Sequence, residues 1–320
     1  MQTQLSLRIV VVLAALGLFV GCDTKSSTPQ GKSSGKPQVA LVMKSLANEF
    51  FKTMEDGAKA HQKAHAAEYD LIANGIPDEQ DVAKQSDLVE QMIAKKVDAI
   101  VIAPTDSKAM VPVCKKALDA GVVVINIDNK LDEAALKEKG ITVPFVGPDN
   151  RMGARLAGEC LAKKLQKGDQ VAIIEGLRGA FNAEQRRLGF EDAMKAAGAT
   201  IATSQSARWE TEPAVAIVGP ILLAQPQLKA ILCANDSMAL GAISALRGAN
   251  KLGQIQVVGF DNIKAVQQLI KEGKMLCTID QHADQIAAYG IEYAIQILQR
   301  KATPADKQTP VNLITAETLK

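Results

Sequence analysis

Residues 229–262 contain two short apolar runs separated by a helical pattern. The first run, 230–234, stops at Asn235, and the second run, 255–260, stops at Asp261. Between them apolar residues recur at steps of three and four, which is typical of an amphipathic helix. This order predicts a β-α-β unit with a right-handed crossover and two parallel strands. Because ligands bind at the carboxyl edge of open parallel sheets, we expect Asn235 and Asp261 to face one cleft.

The same alternation begins at Gln38 and predicts an α/β fold with parallel sheets. The chain of 320 residues is too long for one core of ordinary size, and the alternation restarts near residues 146–150, so we expect two similar lobes. The predicted strands are 39–43, 69–72, 98–103, 122–127, 171–174, 201–204, 230–234, 255–260 and 277–279. The predicted helices are 50–66, 78–95, 107–120, 153–165, 183–197, 213–224, 238–246 and 284–298.

The first 21 residues are expected to be a signal peptide and no part of the fold. Arg8 precedes an apolar run, 9–20, that is shorter than the roughly 20 residues of a bilayer span. Cys22 follows Gly21 and resembles the lipidation site of bacterial lipoproteins, although Phe19 stands where leucine is usual. An ordinary secreted protein is the alternative. Residues 22–37 are rich in Ser, Gly and Lys and predict a flexible tether.

Charge and cysteine patterns exclude several kinds of partner. The net charge is +2 without a basic run or an acidic tail, so nucleic acid is not expected. His61 and His65 have helical spacing but lack a third ligand, so no metal or other cofactor is expected. Four further cysteines lie singly within apolar patterns and are expected to be free buried thiols, with a disulfide left open: Cys114, Cys160, Cys233 and Cys277.

Polar side chains follow several of the predicted strands. Asp128, Asn235, Asp261 and Gln281 each stand directly after an apolar run or one residue beyond it. Planar polar groups donate and accept in fixed pairs, which suits neighbouring hydroxyl groups, and aromatic faces suit the C–H face of a sugar ring. These residue types therefore favour a site for a polyhydroxylated ligand.

Each candidate also has a structural interpretation. Asp128 and Asp261 could cap helices, and Asn235 could be a turn residue. Lys44 could be a solvated charge at the rim, and Trp209, the single tryptophan, could belong to the core. One of the neighbouring arginines at positions 186 and 187 is expected to be a surface residue.

Five stretches resemble the bacterial periplasmic sugar-binding proteins of the ribose type. They are ALVMKSLANEFF (40–51), VDAIVIAPTDS (97–107), VAIIEG (171–176), CANDSMALGA (233–242) and VVGFDN (257–262). Within that family, Lys44 and the stretches INIDNKLD and AEQRRLGF are most similar to the D-allose binders. Asn129 stands where ribose binders carry arginine and Lys44 where they carry a small residue, which favours a pyranose other than ribose.

The resemblance implies a type I periplasmic binding protein, with two Rossmann-like lobes joined by a three-crossover hinge. The lobes would be 38–148 plus 281–312 and 149–280 plus 313–320, and they would close on one monosaccharide and deliver it to the membrane permease of an ABC importer. The protein would be a monomer on the periplasmic side of the envelope, held at the membrane only by lipid on Cys22. The implied binding residues are Lys44, Asn48, Phe50, Phe51, Asp128, Asn129, Arg186, Trp209, Asn235, Asp261 and Gln281.

Three other functions are compatible with parts of this pattern. A sugar-responsive repressor would need a helix-turn-helix before the first lobe, where the predicted signal peptide and tether stand. A glycosidase would need a carboxylate pair such as Asp128 and Asp261, but no nucleophile motif accompanies them. A sensor that presents sugar to a membrane receptor cannot be separated from a transport receptor by sequence. We therefore expect a binding protein and not an enzyme.

Overall fold

A computed structural model describes residues 35–319 of the chain. The predicted signal peptide, Cys22 and most of the predicted tether lie outside the described residues. The described chain forms two six-stranded sheets with helices around them. We call each sheet with its helices a lobe. Within residues 35–319 no helix is both long and apolar enough to span a bilayer.

The first lobe contains the strands before residue 149 and one strand near the end of the chain. Its strands are β1 (Gln38–Ser45), β2 (Asp70–Ile76), β3 (Ala99–Ile102), β4 (Val123–Ile127), β5 (Phe145–Pro148) and β11 (Lys307–Thr309). Its helices are α1 (Glu49–Ala64), α2 (Val82–Ala94), α3 (Val111–Asp119), α4 (Glu133–Glu138) and α10 (Ala283–Leu298).

The second lobe repeats this arrangement. Its strands are β6 (Gln170–Glu175), β7 (Thr200–Ser206), β8 (Leu228–Cys233), β9 (Gln256–Val258), β10 (Cys277–Asp280) and β12 (Asn312–Thr315). Its helices are α5 (Asn150–Ala162), α6 (Phe181–Ala197), α7 (Thr211–Ala224), α8 (Asp236–Gly248) and α9 (Lys264–Lys271).

The two sheets have the same topology. The strand order is β11-β5-β4-β3-β1-β2 in the first lobe and β12-β10-β9-β8-β6-β7 in the second. All pairings between these strands are parallel except that of β12 with β10, which is antiparallel. The order 2-1-3-4-5 is that of doubly wound sheets, which bind ligands where the strand order reverses. The predicted fold class is confirmed.

The apolar runs of the sequence become strands that are covered on both faces. Seven of the eight residues of β1 and all four of β3 are buried. Helices pack closely on these sheets, and glycine allows the closest approaches. A Cβ at Gly57 of α1 would lie 2.1 Å from the Asp284 carbonyl oxygen of α10, so only glycine fits there.

Several short elements were not predicted, namely β5, β11, β12, α4 and α9. They have three to eight residues each, too few for a clear period. The predicted helix 107–120 begins only at Val111, because Asp106 accepts hydrogen bonds from the Lys108 and Ala109 amides and holds a turn there.

The chain passes between the two sheets three times: after Pro148, after Asp280, and between Thr309 and Asn312. Two of these passages are joined by a hydrogen bond of 2.6 Å between His282 Nε2 and Asn312 Oδ1. His282 has a left-handed backbone, with φ at 55°, which turns the chain from β10 into α10. The lobes are therefore connected by three short segments that lie side by side.

Candidate functional site

A small cavity lies between the carboxyl edges of the two sheets. All of its lining residues are buried except Asn48, which is half-buried. The lining consists of Lys44, Asn48, Phe50, Phe51, Glu79, Asp128, Arg186, Trp209, Asn235, Asp261 and Gln281.

Strand ends supply most of the polar groups. Lys44 lies at the end of β1 and Asp128 directly follows β4, both in the first lobe. In the second lobe Asp261 follows β9, and Gln281 directly follows β10. Because the ends of parallel strands meet at one edge of a sheet, residues far apart in sequence converge here.

A buried ion pair forms the first-lobe side of the cavity. Lys44 Nζ lies 3.0 Å from Asp128 Oδ2, and both side chains are 3% exposed. The ammonium also lies 5.6 Å from the centroid of the Phe51 ring. Removing one partner of a buried ion pair is strongly destabilising, so Lys44 and Asp128 depend on each other at this position.

Arg186 forms the centre of the second-lobe side. Its Nε donates to Asn150 Oδ1 at 2.8 Å and its Nη1 to the Ala234 carbonyl at 2.9 Å. The guanidinium carbon lies 3.7 Å from the Phe260 ring centroid, and Nη1 lies 3.4 Å from Asp261 Oδ1. These contacts fix the guanidinium plane, and burial lowers the pKa of Arg186 from its ordinary value.

Asp261 is held in place by two donors. Gln281 Nε2 donates to its Oδ1 at 2.7 Å, and Arg186 is its ion partner. Burial raises the pKa of Asp261 to about 7, the Arg186 charge and the Gln281 hydrogen bond oppose this, and Asp128 adds to it. The carboxyl group can therefore take up or release a proton near neutral pH.

Backbone strain is concentrated around the cavity. Asp128, Trp209 and Asp261 have φ values of 61°, 73° and 123°, in the region that favours glycine. Such conformations cost about 1–3 kcal/mol each and persist where the surrounding structure enforces them, which is commonest at functional sites. Three of the lining residues are thus held in unfavourable conformations that direct their side chains into the cavity.

Aromatic side chains from both lobes line the cavity. Phe51 comes from α1 and packs edge-on against Phe50, with ring centroids 5.1 Å apart. Trp209 comes from the loop after β7 and lies over Gly176, where a Cβ would be 2.2 Å from the indole. Trp209 is both a buried residue and part of the lining, so both interpretations of it hold.

The cavity contains acceptors that the protein leaves without a hydrogen bond. Gln281 Oε1 and Asp128 Oδ2 are both buried, and neither accepts one from the described residues. Asp128 Oδ2 is near the Lys44 ammonium, but the geometry of that contact is that of an ion pair only. Buried acceptors of this kind are normally satisfied, so both are suited to hydroxyl donors of a ligand.

Comparison with known proteins places the chain in a family. Residues 39–302 match the model of the periplasmic binding protein domain. The chain belongs to this family. The match includes every lining residue and all of both lobes except β11, β12 and the chain ends, and members of this family are binding proteins, not enzymes.

Similar proteins include a D-ribose/D-allose-binding protein of Pseudomonas aeruginosa, which is 54% identical over 311 residues, 96% of each chain. A solute-binding protein of Burkholderia multivorans, solved with an unknown ligand built as α-D-erythrofuranose, is 55% identical with a TM-score of 0.86, covering 88% of this chain and 100% of that one. One of Actinobacillus succinogenes with bound D-allose is 38% identical with a TM-score of 0.84, covering 89% and 99%.

Glu79 is a lining residue of this periplasmic binding protein that the sequence did not reveal. It is 3% exposed and accepts a hydrogen bond of 2.9 Å from Asn48 Nδ2. Burial raises the pKa of Glu79 to about 7, against the opposing effect of Lys44. The strand before it was predicted to end at Ile72, whereas β2 extends to Ile76 and carries Glu79 to the carboxyl edge.

Asn129 is not in the lining, although it was expected in the binding set. It is fully buried, and its Oδ1 accepts hydrogen bonds from Ser107 Oγ at 3.3 Å and from the Asn182 amide at 3.2 Å. Its Nδ2 donates to the Pro104 carbonyl at 3.1 Å. After the left-handed turn at Asp128 this side chain lies in the contact between the lobes and not among the lining residues.

The helix-cap interpretations are resolved differently for each residue. Among the helices of residues 35–319, neither Asp128 nor Asp261 is an N-cap: α4 begins after Asp132 and α9 after Ile263. Asn235 caps α8 by accepting from the Met238 amide at 2.9 Å, while its Nδ2 donates to the Trp209 carbonyl at 3.1 Å. Asn235 therefore lines the cavity and also ties two of its walls together.

The cysteines of residues 35–319 are free thiols, and His61 and His65 make side-chain contacts within the first lobe. Four cysteines are free, and Cys160 is the only half-buried one among residues 35–319. His61 contacts the Tyr69 hydroxyl at 2.8 Å, and His65 contacts Glu68 at 2.9 Å. No cluster of metal-ligating side chains occurs within residues 35–319.

Proposed function

We propose that this protein is the substrate-binding lipoprotein of an ABC sugar importer and binds one monosaccharide in the cavity between its lobes. The observation that carries the proposal is the buried lining itself, with planar polar groups and aromatic side chains from both lobes. It also has a buried acceptor, Gln281 Oε1, that accepts no hydrogen bond from the described residues. The names of its relatives support sugar as the ligand, and the Actinobacillus succinogenes structure holds D-allose.

The proposed cargo is D-allose or a pyranose of similar shape. Phe51 and Trp209 would cover the two faces of the ring. Asp128, Asp261 and Arg186 would bind paired hydroxyl groups, since carboxylates and a guanidinium offer two parallel contacts. The remaining hydroxyls and the anomeric position would be fixed by the other polar residues of the lining: Lys44, Asn48, Glu79, Asn235 and Gln281.

Binding is coupled to closure of the lobes, proposed as 38–148 plus 281–312 and 149–280 plus 313–320. A sugar that contacts Asp128 and Arg186 at once makes its full set of contacts only when the lobes are together. The sugar therefore shifts the population from open to closed by its differential affinity. The permease would recognise the closed form, with the monomeric protein held at the periplasmic face by lipid on Cys22.

Calorimetric titration of the purified protein with D-allose, D-ribose, D-xylose, D-galactose, D-glucose and D-psicose tests the cargo. We expect tight one-to-one binding of one pyranose, and we expect Asp128→Ala to abolish it because the buried Lys44 ammonium then has no partner. Absence of binding to every sugar of the panel would contradict the proposal.

Incorporation of labelled palmitate in cells tests the anchor separately. The full-length chain should be labelled and fractionate with membranes, and Cys22→Ser should lose the label. Cys160→Ser is the matched control and should leave labelling unchanged. An unlabelled wild-type protein would contradict the lipid anchor while leaving sugar binding intact.

A further inference from the structure

Two helices of the second lobe, α6 and α9, are preceded by an apolar residue that cannot cap them. The residues before α6 and α9 are Ala180 and Ile263, and neither has a polar side chain to bond the free amides of the first turn. Such amides need an acceptor, and a helix usually supplies it from its own N-cap side chain. In this protein the acceptors come from the first lobe.

The first turn of α6 is capped by two residues that follow strands of the first lobe. The Phe181 amide donates to Ser107 Oγ at 3.1 Å, and the Asn182 amide donates to Asn129 Oδ1 at 3.2 Å. Ser107 Oγ in turn donates to Asn129 Oδ1 at 3.3 Å. Asn129 Nδ2 donates to the Pro104 carbonyl at 3.1 Å, so this side chain is held by a contact within its own lobe.

The first turn of α9 is capped in the same way at another point of the contact. The Lys264 amide donates to Glu49 Oε1 at 2.8 Å, and Glu49 is the first residue of α1. A carboxylate near a helix N-terminus also interacts favourably with the partial positive charge there. Glu49, Ser107 and Asn129 all lie outside the cavity lining.

We propose that Glu49, Ser107 and Asn129 are positioning residues for sugar capture, because they cap helices of the opposite lobe only when the lobes are together. This inference rests on the proposed function insofar as closure accompanies sugar binding. Opening leaves the three amides to water, so the caps stabilise the closed form whether or not a sugar is present. They set affinity without touching the ligand.

Affinity measurements for two sugars separate this role from direct contact. Loss of a cap typically weakens the capped state about 2- to 30-fold, so Glu49→Ala, Ser107→Ala and Asn129→Ala should each weaken binding by a factor in this range. The factor should be the same for the two tightest ligands of the panel, since the contacts to sugar are unchanged. Gln281→Ala, which removes a lining group, should change the ratio between the two ligands.

Glu212→Ala is the matched control for Glu49→Ala. Glu212 is an exposed acid in the first turn of α7, within the second lobe. This control should bind both sugars like the wild type. A changed sugar ratio in Asn129→Ala, or unchanged affinity in all three cap variants, would overturn the inference.

Hydrogen exchange at the capped amides gives a direct readout. The amides of Phe181, Asn182 and Lys264 should exchange slowly in the sugar-saturated protein and faster in the free protein. If a sugar binds but these amides exchange at the same rate in both states, the inference about Glu49, Ser107 and Asn129 is overturned. The proposed function would still stand.

If no sugar of the panel binds, the proposed function fails. The inference that the three residues stabilise the closed form is then tested on the free protein by small-angle X-ray scattering. A wild type more compact than the double variant Glu49→Ala/Asn129→Ala supports the caps. Identical scattering profiles overturn them.

Discussion

The cavity concentrates five ionisable side chains in a buried space. Lys44 and Arg186 are cationic groups, and Glu79, Asp128 and Asp261 are carboxyl groups. Their charges compensate one another in part, which is the condition for keeping such groups in a low-dielectric site. A neutral ligand rich in hydroxyl groups can then bind without a change in net charge.

Glu79 should make the stability of the protein depend on pH. Its folded-state pKa, about 7, lies above the ordinary value of 4.5, so ionisation in the folded state is unfavourable. The cost is fully present above pH 7 and vanishes below about pH 4.5, where the group is protonated in both states. Glu79→Gln should therefore raise the free energy of unfolding by about 1–3 kcal/mol at pH 8 and by much less at pH 5.

Urea unfolding of both proteins at the two pH values measures this difference. Glu317→Gln, a change at an exposed carboxyl group near the end of the chain, should leave the free energy of unfolding unchanged at either pH. An equal effect of Glu79→Gln at pH 5 and pH 8 would show that the carboxyl group is not titrating in the cavity.

At the scale of elements, the positions of the aromatic groups depend on neighbouring strands. Trp209 follows β7, yet its indole lies against Gly176 at the end of β6. The two strands are adjacent and parallel in the second sheet, and their register brings Glu175 opposite Ser206. The position of one cavity wall is thus set by the pairing of two strands.

Gly176→Ala should displace the indole and weaken sugar binding. A Cβ at this position would lie 2.2 Å from the ring, so the strand or Trp209 must move. Overpacking of this kind costs about 1–3 kcal/mol, and we expect sugar affinity to fall about 5- to 150-fold in calorimetric titration. Gly219→Ala in α7 is the matched control, because nothing lies within 4 Å of its Cβ position. Wild-type affinity in Gly176→Ala would mean that Trp209 does not contact the sugar.

The elements that could be predicted from sequence are the long buried strands. The strands β1, β3, β6 and β8 are covered by helices on both faces, so they appear in the sequence as continuous apolar runs. The end of β2 was missed because Asn74-Gly75 is typical of a turn, although both residues lie within the strand. The predicted helix 78–95 was also too long, since α2 begins at Val82. These two errors hid Glu79.

At the same scale, adjacent residues could not be told apart. Asp128 and Asn129 both follow β4, and which of them faces the cavity is decided by the left-handed backbone at Asp128. No pattern of residue types records this dihedral angle. The resemblance to known binding proteins supplied ten of the eleven lining residues. The residue type at each position alone would not have selected them.

The whole molecule should respond to sugar as one unit. The lining is shared between the lobes, so a bound sugar stabilises both against unfolding. At a ligand concentration one hundred times Kd the expected stabilisation is about 2.7 kcal/mol. Differential scanning calorimetry should show the unfolding temperature rising with sugar concentration, and Asp128→Ala should show no rise. A wild-type transition that does not move with sugar would contradict binding to the folded state.

Both sheets take an edge strand from one short stretch of chain. The first sheet contains β11, at Lys307–Thr309, and the second contains β12, at Asn312–Thr315, so residues 307–315 complete both lobes. Loss of this stretch would remove an edge strand from each lobe at once. The folding of the two lobes is thus tied to a single segment, although each lobe has its own sheet.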